Sequence, residues 1–213
     1  MCSETMKLGL EVVDGMQLDE QFRNVLKPAG LMKDRNGSLR RLPRFFYRID
    51  SWQMARETEL APGFSLWEFI NVDVQEAEPQ RLFPRYVPCA VSVLAASLSV
   101  LRQRVGTYVH IAANGGYRSP SHALSHSAST HNWGTGANIY RVGDDYLDTE
   151  EKIERYRKIV QNALPAAWTL PYGEEVGCCG DHLHVDIGYV NLVPPGAPSE
   201  EDQQEAEKNE YPP

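Results

Sequence analysis

Apolar residues recur at helical spacing between Pro88 and Val105, with Val91, Leu94, Ala95, Leu98, Leu101 and Val105 on one face. Pro88 suits a first turn and Gly106 a stop, so the spacing predicts a helix over 88–105. Thr107 to Ala113 then alternates as a strand does, with Val109 and Ile111 sharing a face. A second helix is predicted from Asp148 to Leu164, with Asp148 and Glu151 spaced as a capping pair and Pro165 ending it. From His182 to Tyr189 the pattern alternates again: His182, His184 and Asp186 face one way, and Leu183, Val185 and Ile187 the other.

Earlier in the chain the pattern is weaker. Phe64-Ser65-Leu66-Trp67-Glu68-Phe69 carries a serine with a glutamate three residues on, a capping box, and its aromatics at 64, 67 and 69 are expected in the core. Asn36-Gly37, between Leu31-Met32 and Phe45-Phe46-Tyr47, is a hairpin-turn signal. Helix, strand, loop, strand, helix and strand in this order predict an α+β domain with helices against a small, mainly antiparallel sheet.

The chain has 213 residues, enough for one compact domain with extensions. Its net charge of −8 argues against nucleic acid as the main partner. Much of that charge sits at the end, where Glu200, Glu201, Asp202, Glu205, Glu207 and Glu210 face only Lys208. From Pro194 onward the Pro- and Glu-rich composition predicts a disordered tail. Lys33, Arg35, Arg40, Arg41, Arg44 and Arg48 form a basic cluster, expected to be a solvated face partly neutralised by that tail. No apolar run reaches membrane-span length, and no basic start with an apolar block opens the chain, which reads as soluble and without an export signal. Cys2, Cys89, Cys178 and Cys179 do not make a disulfide framework, and Cys89, beside an apolar helical face, is expected to be a buried inert thiol.

The chemistry gathers in four short segments: Gly116-Tyr117-Arg118-Ser119-Pro120, Ser129-Thr130-His131, Gly134-Thr135-Gly136-Ala137-Asn138 and Asp181-His182-Leu183-His184-Val185-Asp186. A hydrolytic zinc site needs three protein ligands and one open position, and His131 and His184 are the best candidate ligands. A two-residue strand step of roughly 6.5–7 Å spaces His182 and His184 so that one binds metal while the other acts as a base. Asp186 is placed to orient an imidazole.

The order and spacing of these segments resemble the zinc D-alanyl-D-alanine carboxypeptidase and endopeptidase family, which cuts the stem peptides of bacterial peptidoglycan. The likeness spans roughly residues 60–193 and implies the hedgehog/DD-peptidase fold. It divides the chain into an extension over 1–60, a zinc domain over 61–193 and the tail over 194–213. It implies Zn²⁺ held by His131, residue 138 and His184, with Arg118 on the scissile carbonyl and the oxyanion. Ser129 and Tyr117 are then expected to contact the peptide. The base is His182, with Asp181 as the alternative used by related dipeptidases. A cell-wall substrate implies a periplasmic or extracellular location once a leader has been removed.

One position departs from the family pattern: Asn138 stands where the family carries an aspartate. Losing the anionic ligand weakens metal binding, yet three neutral imidazoles support a water of pKa about 7 in carbonic anhydrase. Asn138 therefore threatens occupancy more than chemistry, and opens the alternative of a non-catalytic peptide- or protein-binding module. Cys178, Cys179, His122 or His126 is a conceivable replacement ligand.

Overall fold

The protein is described from a computed structural model that covers residues 9–173 and 180–195. Cys2, Cys178, Cys179 and most of the acidic tail lie outside those residues. The elements run β1 (Val12–Asp14), α1 (Glu20–Leu26), β2 (Leu31–Lys33), β3 (Leu39–Arg41), β4 (Phe45–Arg48), α2 (Trp52–Glu57), β5 (Glu59–Ala61) and β6 (Phe64–Ser65). They continue with β7 (Tyr86–Pro88), α3 (Val91–Val105), β8 (Val109–Ile111), β9 (Gly136–Val142), β10 (Asp145–Tyr146), α4 (Glu150–Ala163), β11 (Trp168–Thr169) and β12 (Leu183–Asp186). The molecule is a mixed α+β protein whose described strand pairs are all antiparallel.

The helix built on the 91–105 periodicity is α3, and Val91, Leu94, Ala95, Leu98 and Leu101 form its buried stripe. Pro88 is not in it. Pro88 ends β7, where it pairs with Phe46, and the helix begins after Ala90. The second helix starts at Thr149, whose hydroxyl accepts the Lys152 N–H, while Asp148 instead binds the Lys152 ammonium at 2.8 Å. The hydroxyl outcompetes Asp148 because Thr149 is the residue with extended backbone at the helix entrance.

The five-stranded sheet places β12 and β10 along one edge of β9 and β8 along the other, with β11 beyond β12. Its inner face presents Val109, Ala137, Ile139, Val142, Leu183 and Val185 to α3 and α4. Fully burying each larger side chain of this kind contributes about 1.5–3 kcal/mol. Helices cover one face, and the opposite face carries Asn138 and His184 as direct cross-strand neighbours.

A second sheet, ordered β1–β4–β7, joins the first 60 residues to the rest, and Phe22, Leu26, Phe46 and Ile49 share one core with Leu94 and Val185. The Asn36-Gly37 turn closes a hairpin, but its second strand is β3 and not the Phe45 run, which joins the second sheet. Asp34 shapes that turn by accepting from the Asn36 and Ser38 N–H groups. Charges in the basic cluster are matched by Asp34 on Arg40, Asp14 on Arg44, and Glu11 and Asp50 on Arg48. The Ser65/Glu68 capping box forms and opens a 3₁₀ turn, Leu66–Phe69. Phe64 and Phe69 are buried, whereas Trp67 turns outward and is 41% exposed, because a single 3₁₀ turn cannot direct three aromatics to one side. Cys89 is a buried free thiol whose pKa burial pushes up to about 12.

Candidate metal centre

His131 lies in a 3₁₀ turn, Thr130–Trp133, that leads into β9. Ser129 caps this turn in a box with Asn132, whose side-chain oxygen accepts the Ser129 N–H at 3.0 Å. Asn132 also donates its amide protons to the Arg118 and Ser119 carbonyls and to Ser125 Oγ, tying the turn to the Gly116–Pro120 loop. The Arg118 N–H donates to the His131 carbonyl at 3.2 Å. The first two segments of the sequence pattern are thus sewn into one unit.

Two glycines make this approach possible. A Cβ on Gly116 would fall 2.3 Å from the Phe69 carbonyl oxygen, and one on Gly136 would fall 2.7 Å from Thr130 Oγ1 and 3.4 Å from His184 Cε1. Close backbone passage places β9 directly under the imidazoles.

His131 and His184 are both buried, and their ring centres stand 5.1 Å apart at 64°. Two imidazoles sharing a tetrahedral zinc, with Zn–N about 2.0–2.1 Å, place their ring centres roughly 5 Å apart. The hydrogen-bond partners set which nitrogen faces inward. A carbonyl oxygen only accepts, so His131 Nδ1–H donates to Gly116 O at 2.8 Å and Nε2 carries the lone pair. Burial first, then the charges of Arg118 and His184, hold the His131 pKa well below its usual range despite the Gly116 bond, which keeps the ring neutral. His184 Nε2 meets Asp186 Oδ2 at 3.0 Å, the carboxylate–histidine arrangement that orients metal-bound imidazoles. Gly188 N–H fixes the other Asp186 oxygen at 2.8 Å.

With Nε2 donating to Asp186, a neutral His184 turns the lone pair of Nδ1 toward Asn138 Oδ1, which lies 2.9 Å away. Two acceptors do not bond each other. The contact is satisfied by a second proton on the ring, by a half-turn of the amide that presents its NH₂, or by a cation between the two atoms. Donors of a tetrahedral zinc stand roughly 3.3 Å apart at ordinary bond lengths, so only a small opening admits the ion. His184 Nδ1 and Asn138 Oδ1, 2.9 Å apart, with the His131 ring centre 5.1 Å from that of His184, form a set of neutral donors of the kind zinc accepts. Among the described residues no group of three or more His, Cys, Asp or Glu side chains is arranged to hold a metal ion.

The other expected residues divide. His182 immediately precedes β12, and Asp181 Oδ1 stands 2.6 Å from its Nδ1, so the two candidate bases form a pair. The charge of His182 also contributes, last of the causes, to lowering the His131 pKa. Arg118 does so more strongly. Ser129 serves as a local cap, and Tyr117 is 2% exposed and packs in the core. Its side chain is buried because Tyr117 N–H binds Phe69 O and draws the loop against the core. His122 is committed elsewhere, with Asp73 on Nε2 and the Leu124 N–H on Nδ1, and His126 is exposed.

The pattern of motifs gives no sign of Glu76. It is buried at 3% exposure, accepts Ser119 N–H at 2.9 Å and Ser119 Oγ at 2.5 Å, and anchors the loop that carries Gly116 and Arg118. Comparison with protein-family models, with curated proteins and with solved structures finds no match to this chain.

Proposed function

We propose that the chain is a zinc-dependent peptidase with the hedgehog/DD-peptidase fold, hydrolysing peptidoglycan stem peptides next to a D-amino acid. The observation that carries this proposal is the approach of two buried imidazoles to a ring-centre distance of 5.1 Å, with His131 Nδ1 and His184 Nε2 each held by an acceptor and His184 Nδ1 set against Asn138 Oδ1. His131 Nε2, Asn138 Oδ1 and His184 Nδ1 would hold the ion. When bound, zinc supplies a Lewis acid and lowers the pKa of water toward 7. Asp181 Oδ1 orients the His182 ring through Nδ1, and His182 would take a proton during attack and return it to the leaving amine. Arg118 carries a permanent positive charge that acts on His131 and would suit the carbonyl oxygen as it becomes negative. A peptidoglycan substrate places the working protein outside the cytoplasm.

Asn138 favours a second reading, a metal-poor binding module for stem peptides or a protein partner. Release of D-alanine from a stem pentapeptide, measured for the zinc-supplemented native chain and for Asn138→Asp, separates the two. Turnover by the native chain supports the peptidase. Turnover by Asn138→Asp alone assigns the native chain to the binding module.

A further inference from the structure

Beyond the metal centre, the same outer sheet face carries a second feature. β8 and β9 run in register at His110↔Arg141 but next meet at Ile111↔Ile139, so Tyr140 is an extra residue on β9. This bulge breaks the alternation between core-facing Ile139 and Val142, and both Tyr140 and Arg141 leave the core. The ring centres of Tyr108 and His110 stand 6.0 Å apart, those of His110 and Tyr140 6.0 Å, and those of Tyr140 and Tyr146 6.2 Å. A row of aromatic rings thus crosses the sheet, beginning two residues along β9 from Asn138, about 7 Å on.

Beside this row lies a hollow of about 930 Å³, lined by Trp67, Tyr108, His110 and Tyr140 with Ser65, Glu68 and Asn71. Tyr108 is 68% exposed, and Trp67 is outward-facing as described. The hollow is built in advance. Arg102 lies 3.5 Å over the Phe64 ring and donates to Glu68 at 2.7 Å and to the Val109 carbonyl at 2.8 Å, bracing the wall. Those bonds pair the Arg102 charge with Glu68. The lining is mixed: aromatic rings stand beside the polar side chains Ser65 and Asn71 and the Glu68 carboxylate, which Ser65 N–H and Arg102 already engage. A saccharide suits both kinds of lining: the C–H faces of its rings lie on aromatic surfaces while its hydroxyl and acetamido groups meet polar rim side chains.

We propose that this hollow is a saccharide-binding subsite for N-acetylated amino-sugar oligomers, holding the glycan to which the stem peptide is attached. The identity of the glycan rests on the peptidase reading; the subsite itself does not. Its volume of about 930 Å³ falls within the roughly 300–1,000 Å³ of small-molecule sites.

The test is calorimetric titration of the full chain with a tetramer of N-acetylglucosamine, which carries no peptide. Saturable binding is expected, weakened about tenfold by Tyr108→Ala or Trp67→Ala, the cost of truncating an aromatic anchor that the bound ligand covers. Both aromatic side chains are exposed, and thermal unfolding close to that of the native chain verifies that the variants fold. Absence of binding by the native chain, or native-like binding by both variants, overturns the subsite. Equal binding of a glucose tetramer overturns the amino-sugar assignment. Tetramer binding by a chain that does not cleave stem peptide upholds the subsite while removing the peptidase.

Discussion

Replacing Glu76 tests how the centre is held together. Its carboxylate accepts two bonds from one residue, Ser119 N–H at 2.9 Å and Ser119 Oγ at 2.5 Å, across 43 residues of sequence. Hydrogen bonds to a charged acceptor contribute about 1.5–3 kcal/mol each. Ser119 is completely buried, so Glu76→Ala leaves its N–H and hydroxyl without an acceptor as well as opening a cavity. The expected loss is about 3–5 kcal/mol, measured by urea unfolding with the slope checked for change. Glu76→Gln retains one acceptor oxygen and loses about half as much. The two sites are in contact, so a double-mutant cycle of Glu76→Ala with Ser119→Ala yields a coupling energy of about 1–3 kcal/mol. Function should follow, since the same loop supplies the Gly116 carbonyl that turns His131. A loss below about 1 kcal/mol for Glu76→Ala, or no coupling, would refute the clamp.

Asp186→Ala removes the acceptor that sets the His184 ring, and zinc affinity measured against a chromogenic chelator should fall about 10- to 100-fold; an unchanged affinity sinks the orienting role. Burial would raise the Asp14 pKa, but the Arg44 guanidinium and the Met16 N–H prevail and hold it below 3.8. The sign follows: Asp14 stabilises the fold fully above the ordinary carboxylate pKa, and this contribution fades as pH falls below it toward the folded-state value. Urea midpoints of native chain and Asp14→Asn should therefore differ at pH 7 and converge toward pH 3, and a constant gap contradicts the assignment.

Much of the scaffold is legible in the sequence where burial has one face. The stripes of α3 and the alternation around His184 are such cases, because a one-residue slip would put charge in the core. The pairing of Asn138 with His184 is long-range, and only the family likeness anticipates it. What pattern cannot disclose is set by tertiary contact. Pro88 looks like a helix start but closes β7 against Phe46, and Trp67 shares a capping-box turn with two core aromatics yet faces solvent. Glu76 sits in an aperiodic stretch, and its importance exists only once Ser119 is folded over it. The bulge at Tyr140 likewise depends on β8, whose register no local signal encodes. Tyr117 belongs to the motif by sequence and to the core by position.

The central claim is that His131, Asn138 and His184 surround one cation. Anomalous scattering at the zinc edge from zinc-soaked crystals of the native chain tests it directly. The account predicts one peak about 2.0–2.2 Å from His131 Nε2, His184 Nδ1 and Asn138 Oδ1. An empty centre at saturating zinc, with the Asn138 amide turned to donate its NH₂ to His184 Nδ1, would contradict it.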